Sequence, residues 1–265
     1  MDATRRWTEL LRRPEDEVPL DEAALLIAAH ANPALDVAAG LRHLDHIAGQ
    51  VGKVRRSGTA AVCHVLFEEI GLRGDRENYD DPRNSYIDQV LDRRLGIPIS
   101  LSVLLMEIGR RCGVRLDGVG LPGHFLVRDP AAPEMLIDAF DRGRPLDRDE
   151  CERLLRGVTG TESELTQAML AATGRRAILA RMLANLDRSF ERRADTRSLD
   201  WVCTLRLQIP DLPGGDRLQL ASRLGRVGRF DDAAGVLEDL AGDQPAADIS
   251  SRLQSEATGL RARLN

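Results

Sequence analysis

The sequence has few aromatic side chains and almost no lysine: nine of its 265 residues are Phe, Tyr or Trp, and Lys53 is the sole lysine. Basic charge therefore comes almost entirely from arginine. The net charge is −5, so no overall positive field attracts nucleic acid or an anionic membrane surface. Hydrophobic residues make up 43% and charged residues 30% of the chain, a balance that argues against disorder over the whole length.

Long hydrophobic runs and paired cysteines are also missing. No apolar run reaches the roughly 18 residues of a membrane span, and the N-terminus lacks the apolar stretch and cleavage site of a signal peptide. The four cysteines are widely scattered and form no CxxC pair, which argues against a disulfide framework and against a zinc finger. We therefore expect a cytoplasmic protein that binds no nucleic acid and no membrane.

The hydrophobic residues follow a helical period over most of the chain, and one region shows the alternation that is typical of strands. Asp21 is placed to cap the first clear helix. Pro98 opens a helix whose apolar stripe runs from Leu101 to Cys112, and beyond Gly113 the period drops to two over residues 114–121, 124–127 and 135–137. The pattern predicts an α+β fold, mostly helical, with a small antiparallel sheet packed on a central helix.

From about residue 145 the chain is helical again, after which the linker Gly157 to Glu162 is a candidate boundary. Near the end, the spacing of a tetratricopeptide unit is shared by Gly228, Phe230, Ala233, Leu237, Leu240 and Pro245. The sequence thus predicts a mixed domain over residues 1–170 and a helical repeat segment over residues 171–265.

The sharpest set of candidate catalytic residues is Ser100, His124 and Asp138. His124 begins one predicted strand and Asp138 ends the next, so the carboxylate can orient the imidazole. Ser100 lies in the first turn of the central helix, where the helix dipole favours an anion. Ser102 points about 200° away from Ser100 around the helix, so both cannot serve the same site. This layout is that of a papain-like or transglutaminase-like centre.

Three segments carry a closer resemblance: GIPISLSVLLMEIGRR, LPGHFLVR and LIDAF, all within residues 79–143. They resemble the transglutaminase-like superfamily and, more closely, its bacterial SirB family, in which this domain is followed by tetratricopeptide repeats. The resemblance implies a transglutaminase-like or papain-like core, with His124 and Asp138 at the family's histidine and aspartate positions.

One departure from the family pattern concerns the nucleophile. Active members carry Gly-x-Cys at the start of the central helix, whereas this chain has Gly96-Ile97-Pro98. Proline offers neither a thiol nor a backbone N–H for an oxyanion. Ser100 remains a candidate nucleophile, although a serine there also satisfies a free helix N–H.

Other candidate sites are weaker. Around the degenerate centre we expect a binding cleft lined by Pro98, Arg94, Phe125 and Phe140. His43 and His46 share a helix face but project away from the apolar stripe, and no third ligand is apparent, so no metal site is predicted. No phosphate-binding fingerprint is present either, and we expect no cofactor.

The sequence leaves three functions open. The first is a non-catalytic interaction protein that binds a protein or peptide partner through the cleft and the repeat segment. The second is an acyl hydrolase, acyl transferase or peptidase that uses Ser100, His124 and Asp138. In the third, the domain is only a structural adaptor for the repeats. The missing thiol favours the first.

Overall fold

A computed structural model describes residues 2–160 and 164–264. The chain forms two compact units, Met1–Asn185 and Leu186–Asn265. The predicted linker reaches residues 161–162, which lie outside the described residues. The units divide later than the predicted boundary at residue 170, because Thr173 and Arg181 form hydrogen bonds with the sheet of the first unit.

The first unit begins with helices that surround a central one. Its helices are α1 (Ala3–Leu11), α2 (Leu20–Ala31), α3 (Val37–Val51), α4 (Gly58–Cys63), which a π-helical segment (His64–Glu69) continues, α5 (Ile87–Arg93), the central α6 (Pro98–Arg111) and α7 (Arg148–Thr159). Helix α6 packs against α2, α3, α4 and α5, and nearly all of its side chains are buried. It ends at Arg111 with Cys112 at the C-cap position, close to the end that its apolar stripe predicts.

The expectation that Asp21 caps a helix is wrong. Helix α2 begins at Leu20 with Pro19 at the cap position, and Asp21 is buried in its first turn. There its carboxylate accepts hydrogen bonds from Arg110 (3.0 Å) and Arg111 (2.6 Å) at the end of α6. Burial acts to raise the pKa of Asp21, but the hydrogen bonds and charges of the two arginines together hold it below its ordinary value. Asp21 thus ties α2 to α6.

Two sheets complete the first unit. Their strands are β1 (Arg73–Gly74), β2 (Leu95–Gly96), β3 (Asp117–Leu121), β4 (His124–Arg128), β5 (Leu136–Asp138) and β6 (Arg144–Leu146). Strands β1 and β2 form a short parallel pair, and β3 to β6 form an antiparallel sheet in chain order. The buried residues of this sheet pack against α7 through Cys151 and Leu155, while β3 and β4 also contact α6. This confirms the predicted α+β fold with a small antiparallel sheet on a central helix.

The second unit is entirely helical in its described residues. Helix α8 (Arg175–Arg192) enters it, followed by α9 (Thr196–Leu207), α10 (Gly214–Arg226), α11 (Phe230–Gly242) and α12 (Ala247–Arg261). Helices α10, α11 and α12 pack in sequence, and Ala233, Leu237 and Leu240 of the predicted repeat are buried on α11. Across the described residues, no helix combines the length and the apolarity that crossing a membrane would require.

Candidate functional site

The centre of the candidate site is a hydrogen-bonded pair formed by His124 and Asp138. Nε2 of His124 lies 3.0 Å from Oδ1 of Asp138. The two residues are only 9% and 5% exposed, so the hydrogen bond is shielded from water. The structure therefore brings together the histidine and the carboxylate that the sequence singles out.

Strand ends place these two side chains opposite each other. His124 is the first residue of β4 and pairs with Leu121 across a tight turn, while Asp138 is the last residue of β5. Strand β4 pairs with β5 only at its far end, through Val127 and Arg128. At the site, the two strands are therefore joined by the side-chain hydrogen bond and not by the backbone ladder.

The protonation pattern of the pair follows from the partners of Asp138. Its Oδ1 also accepts hydrogen bonds from the backbone N–H groups of Phe140 (2.9 Å) and Asp141 (3.3 Å). A carboxylate only accepts, so Nε2 of His124 carries the shared proton. With the proton on Nε2, Nδ1 is the other ring nitrogen, and within residues 2–160 and 164–264 it has no hydrogen-bond partner. Nδ1 is the atom that can accept a hydrogen bond from a ligand or take up a proton.

Three side chains, which we call the rim, lead from His124 toward solvent: Phe140, Tyr79 and Arg76. The rings of Phe140 and His124 meet edge-on with centroids 6.1 Å apart, and Tyr79 contacts Phe140 in the same manner at 6.0 Å. The guanidinium of Arg76 lies 5.3 Å from the centroid of the Phe140 ring and pairs with Asp141. Tyr79 is 41% exposed. The rim thus offers two apolar rings and one cation beside the buried pair.

The start of α6 is connected to this region through β1. The N–H of Asp75 donates to the carbonyl of Gly96 (3.0 Å), and the N–H of Gly74 donates to the carbonyl of Phe140 (3.0 Å). Pro98 is the first residue of α6 and is buried. Backbone hydrogen bonds therefore link the turn before Pro98 to the segment that carries the rim residue Phe140.

Ser100 is fully buried, and backbone groups engage its hydroxyl. Oγ accepts a hydrogen bond from the N–H of Ile97 (3.1 Å) and donates to the carbonyl of Asn84 (2.6 Å). Among the described residues, His124 is not a hydrogen-bond partner of Ser100. Of the three predicted catalytic residues, the structure joins His124 to Asp138 and places Ser100 in a helix-capping arrangement.

Behind Ser100 lies a buried polar network centred on Asn84. The Nδ2 of Asn84 donates to Asp75 (3.1 Å) and to the carbonyl of Asn78 (2.8 Å), while Oδ1 accepts from Arg93 (3.0 Å). Asn84 thereby connects α5 and the segment after β1 to the first turn of α6. No sequence pattern singles out Asn84, because one buried asparagine in a short 3₁₀ helix (Pro82–Ser85) produces no period.

We predict that Asn84→Ala lowers the free energy of unfolding by about 2–3 kcal/mol, because it deprives the buried Asp75 and the half-buried Arg93 of their amide partner. Urea denaturation followed by circular dichroism measures the change. Asn78→Ala is the matched control, since Asn78 is exposed and contributes only backbone groups to the network. An equal loss in the two variants would contradict the role of the Asn84 side chain.

Arg94 and Phe125, also predicted to line the cleft, differ in exposure. Arg94 is exposed and follows α5 in a left-handed backbone conformation with φ 61°. Phe125 is 1% exposed and faces away from His124, because successive side chains of a strand alternate. Its ring lies under the guanidinium of Arg181, 5.4 Å from ring centroid to Cζ. Ser102 is fully buried, and its Oγ has no hydrogen-bond partner in the described part of the chain.

The native cysteines offer no substitute for the missing thiol. Burial raises the pKa of Cys63, Cys151 and Cys203 to about 11. It also raises the pKa of Cys112, which lies at the opposite end of α6 from Pro98. The thiolate is the reactive form of cysteine, so these side chains are poor nucleophiles at neutral pH. His43 and His46 are exposed, as their position on α3 predicts.

Comparison with known proteins identifies a family model. Residues 38–184 match the model described as the transglutaminase-like superfamily. This match covers α3 through most of α8, including Pro98, His124 and Asp138. It confirms the superfamily that the three sequence segments resemble.

Relatives occur in bacteria and in animals. The chain is 40% identical over 192 residues to a UPF0162 protein of Xylella fastidiosa, a match that covers 68% of each chain. It is 38% identical over 172 residues to a UPF0162 protein of Pseudomonas aeruginosa, covering 63% of each. It is also 36% identical over 135 residues to human F-box only protein 21, a match that covers 48% of this chain and 20% of that protein.

Proposed function

This chain belongs to the transglutaminase-like superfamily, and we propose that within it the protein is a thiol-less, non-catalytic member that binds a protein or peptide partner. The observation that carries the proposal is the start of α6. Pro98 occupies the position that the resemblance assigns to the nucleophilic cysteine, and the nearby hydroxyl of Ser100 is bonded to backbone groups. In the described part of the chain, no thiol or hydroxyl is hydrogen-bonded to the side chains of His124 and Asp138, which supports a site without a nucleophile.

What remains at the site is suited to recognition. Nδ1 of His124 accepts a hydrogen bond, and the rim adds aromatic rings and the guanidinium of Arg76, the residue types that most often dominate protein interfaces. Helices α10 to α12, with the spacing of a tetratricopeptide unit, provide a second surface of the kind that holds peptides. Similarity to part of a longer F-box protein is in keeping with use of the domain as a binding module.

The alternative function is acyl transfer or hydrolysis through Ser100, favoured by the intact His124–Asp138 pair. It requires Ser100 to exchange its bond to the carbonyl of Asn84 for one to His124. That exchange would leave the buried carbonyl without its short partner, at a cost of about 1–3 kcal/mol.

We predict that the full chain turns over neither p-nitrophenyl acetate nor a glutamine peptide with an amine acceptor above the uncatalysed rate. His124→Ala and Ser100→Ala should give the same traces as the natural sequence, because no nucleophile is activated. Turnover that is lost in both variants would replace the binding proposal by the acyl-transfer alternative.

The binding half of the proposal has a separate test. A partner captured by the full chain is identified, purified and titrated against the protein by calorimetry. Tyr79→Ala should weaken binding at least about tenfold, the effect of losing one interface anchor. Met135→Ala is the control, since Met135 is another exposed apolar residue but lies outside the rim. Equal effects of the two variants would remove the rim from the binding surface.

A further inference from the structure

The hairpin that carries His124 receives a contact from outside the sheet. Arg181 of α8 donates from Nη2 to the carbonyl of Leu121 (2.7 Å) and to the carbonyl of His124 (2.5 Å). These are the two residues that flank the turn between β3 and β4. A single guanidinium nitrogen therefore bridges both strands where the hairpin reverses.

The surroundings of Arg181 are shaped to hold it there. A side chain at Gly120 would place its Cβ 3.0 Å from Nη1 of Arg181 and 3.1 Å from Oγ1 of Thr173, so any larger residue there would push these two side chains by a few tenths of an ångström. Thr173 accepts a hydrogen bond from the N–H of Gly120 (2.9 Å), and its own N–H donates to the carbonyl of Gly118 (2.8 Å). The segment from Thr173 to Arg181 therefore lies along the outer edge of β3, the edge that does not pair with β4.

His124 depends on such support because of its place in the sheet. The backbone ladder between β4 and β5 covers Val127 and Arg128 but not His124. On the side of β4 that faces β5, the hydrogen bond from the imidazole to Asp138 is what fixes the position of the ring. The other restraints come from the backbone ladder to β3, which ends at this turn, from the packing of β4 on α6, and from Arg181. Because the ladder to β3 stops at this turn and the ladder to β5 does not reach it, the end of the hairpin has the fewest backbone restraints, and a small twist there breaks the 3.0 Å hydrogen bond to Asp138.

We propose that Arg181 is a positioning residue: by tying both carbonyls of the hairpin turn to α8, it holds His124 in register with Asp138. Arg181 acts on the backbone of His124 and leaves the imidazole open at Nδ1. This inference concerns the geometry of the site and stands whether the site binds a partner or performs chemistry.

The test follows the proton on Nε2 of His124 by ¹⁵N NMR of the full chain. The protein has five histidines, and a His124→Gln variant assigns the signal. In Arg181→Ala, exchange of this proton with water should be at least about tenfold faster, the order of effect of losing a hydrogen bond to a charged donor. The ring should also lose its single Nε2–H tautomer signature.

Arg176→Ala is the matched control. Arg176 lies on the same helix and also donates to two backbone carbonyls, those of Leu11 and Arg13, but not to the hairpin. The proposal requires unchanged exchange at His124 in this variant. Exchange that stays slow in Arg181→Ala, or that rises equally in both variants, overturns it.

If Arg181→Ala does not fold, Arg181→Lys decides the question. A lysine keeps the charge but cannot present the fixed guanidinium fork to both carbonyls. Faster exchange at His124 in this variant supports the proposal. Exchange identical to that of the natural sequence shows that bridging both carbonyls is not needed, and it overturns the proposal.

Discussion

Pro98→Cys is expected to create a thiol that reacts with iodoacetamide at pH 7 about 50 times faster than the native thiols of Cys63, Cys151 and Cys203. The new side chain would stand at the first residue of α6, where the superfamily's nucleophile is expected. There the helix dipole favours a thiolate. His124, oriented by Asp138, is the group expected to accept its proton.

The size of the effect follows from the pKa values. A native thiol with a pKa of about 11 is only about one part in 10,000 thiolate at pH 7. A thiol at a helix N-terminus beside an imidazole has a pKa of about 7.5 or lower, so at least about a quarter of it is thiolate. At a pKa of about 7.5 the lower basicity reduces intrinsic nucleophilicity by about 40-fold, which leaves a net gain of about 50-fold.

The double variant Pro98→Cys with His124→Ala is the control. It keeps the helix N-terminus but removes the imidazole, so its rate should fall back toward that of the native thiols. Because Pro98 is buried, the reagent must be small, and labelling in urea verifies that the introduced thiol is present. Slow labelling in the folded single variant would show that the site no longer has the geometry of a cysteine centre.

The helices and strands whose hydrophobic residues recur at a clear period could be predicted from the sequence. The apolar stripe from Leu101 to Cys112 reports burial of one helix against several neighbours, and α6 packs in that way. The alternating residues from 114 onward predicted the sheet, because one face of β3, β4 and β5 must be covered. Strand β6 (Arg144–Leu146) was missed, since three residues are too few to show a period.

Buried polar contacts could not be predicted in the same way. Asp21 reads locally as a helix cap, but its partners Arg110 and Arg111 are far along the chain. Arg181 and His124 are 57 residues apart, and nothing in their local sequence pairs them. Such contacts depend on how helices and strands come together, which local patterns do not encode.

The candidate site contains one contact that local sequence patterns predict and one that they do not. The positions of His124 and Asp138 at consecutive strand ends made their pairing predictable, and the structure places them 3.0 Å apart. The role of Ser100 was open, because a serine in the first turn of a helix can serve as a nucleophile or as a cap. The deciding atom is the carbonyl of Asn84, which accepts from Ser100 and lies in a short 3₁₀ helix (Pro82–Ser85), and no local pattern pairs these two residues.

Asp187→Ala is expected to lower the free energy of unfolding of the second unit by about 3–5 kcal/mol, the cost of removing one partner from a buried ion pair. The carboxylate of Asp187 is fully buried and bonds Arg206 (3.1 Å) and Arg223 (2.9 Å). Arg206 is itself 1% exposed, so the variant leaves a guanidinium buried without its nearest carboxylate. Arg223 keeps a second partner, Glu191. Differential scanning calorimetry of the full chain measures the loss.

Two further variants separate charge from packing. Glu238→Ala removes an exposed pair with Arg261 in the same unit, and we expect little change, because water screens that pair. Asp187→Leu combined with Arg206→Met replaces the buried charges by apolar groups, which is often neutral or stabilising. If the double variant is more stable than Asp187→Ala, the loss comes from the uncompensated guanidinium. If it is equally unstable, packing around Asp187 is responsible, and the buried ion pair contributes little to the stability of the second unit.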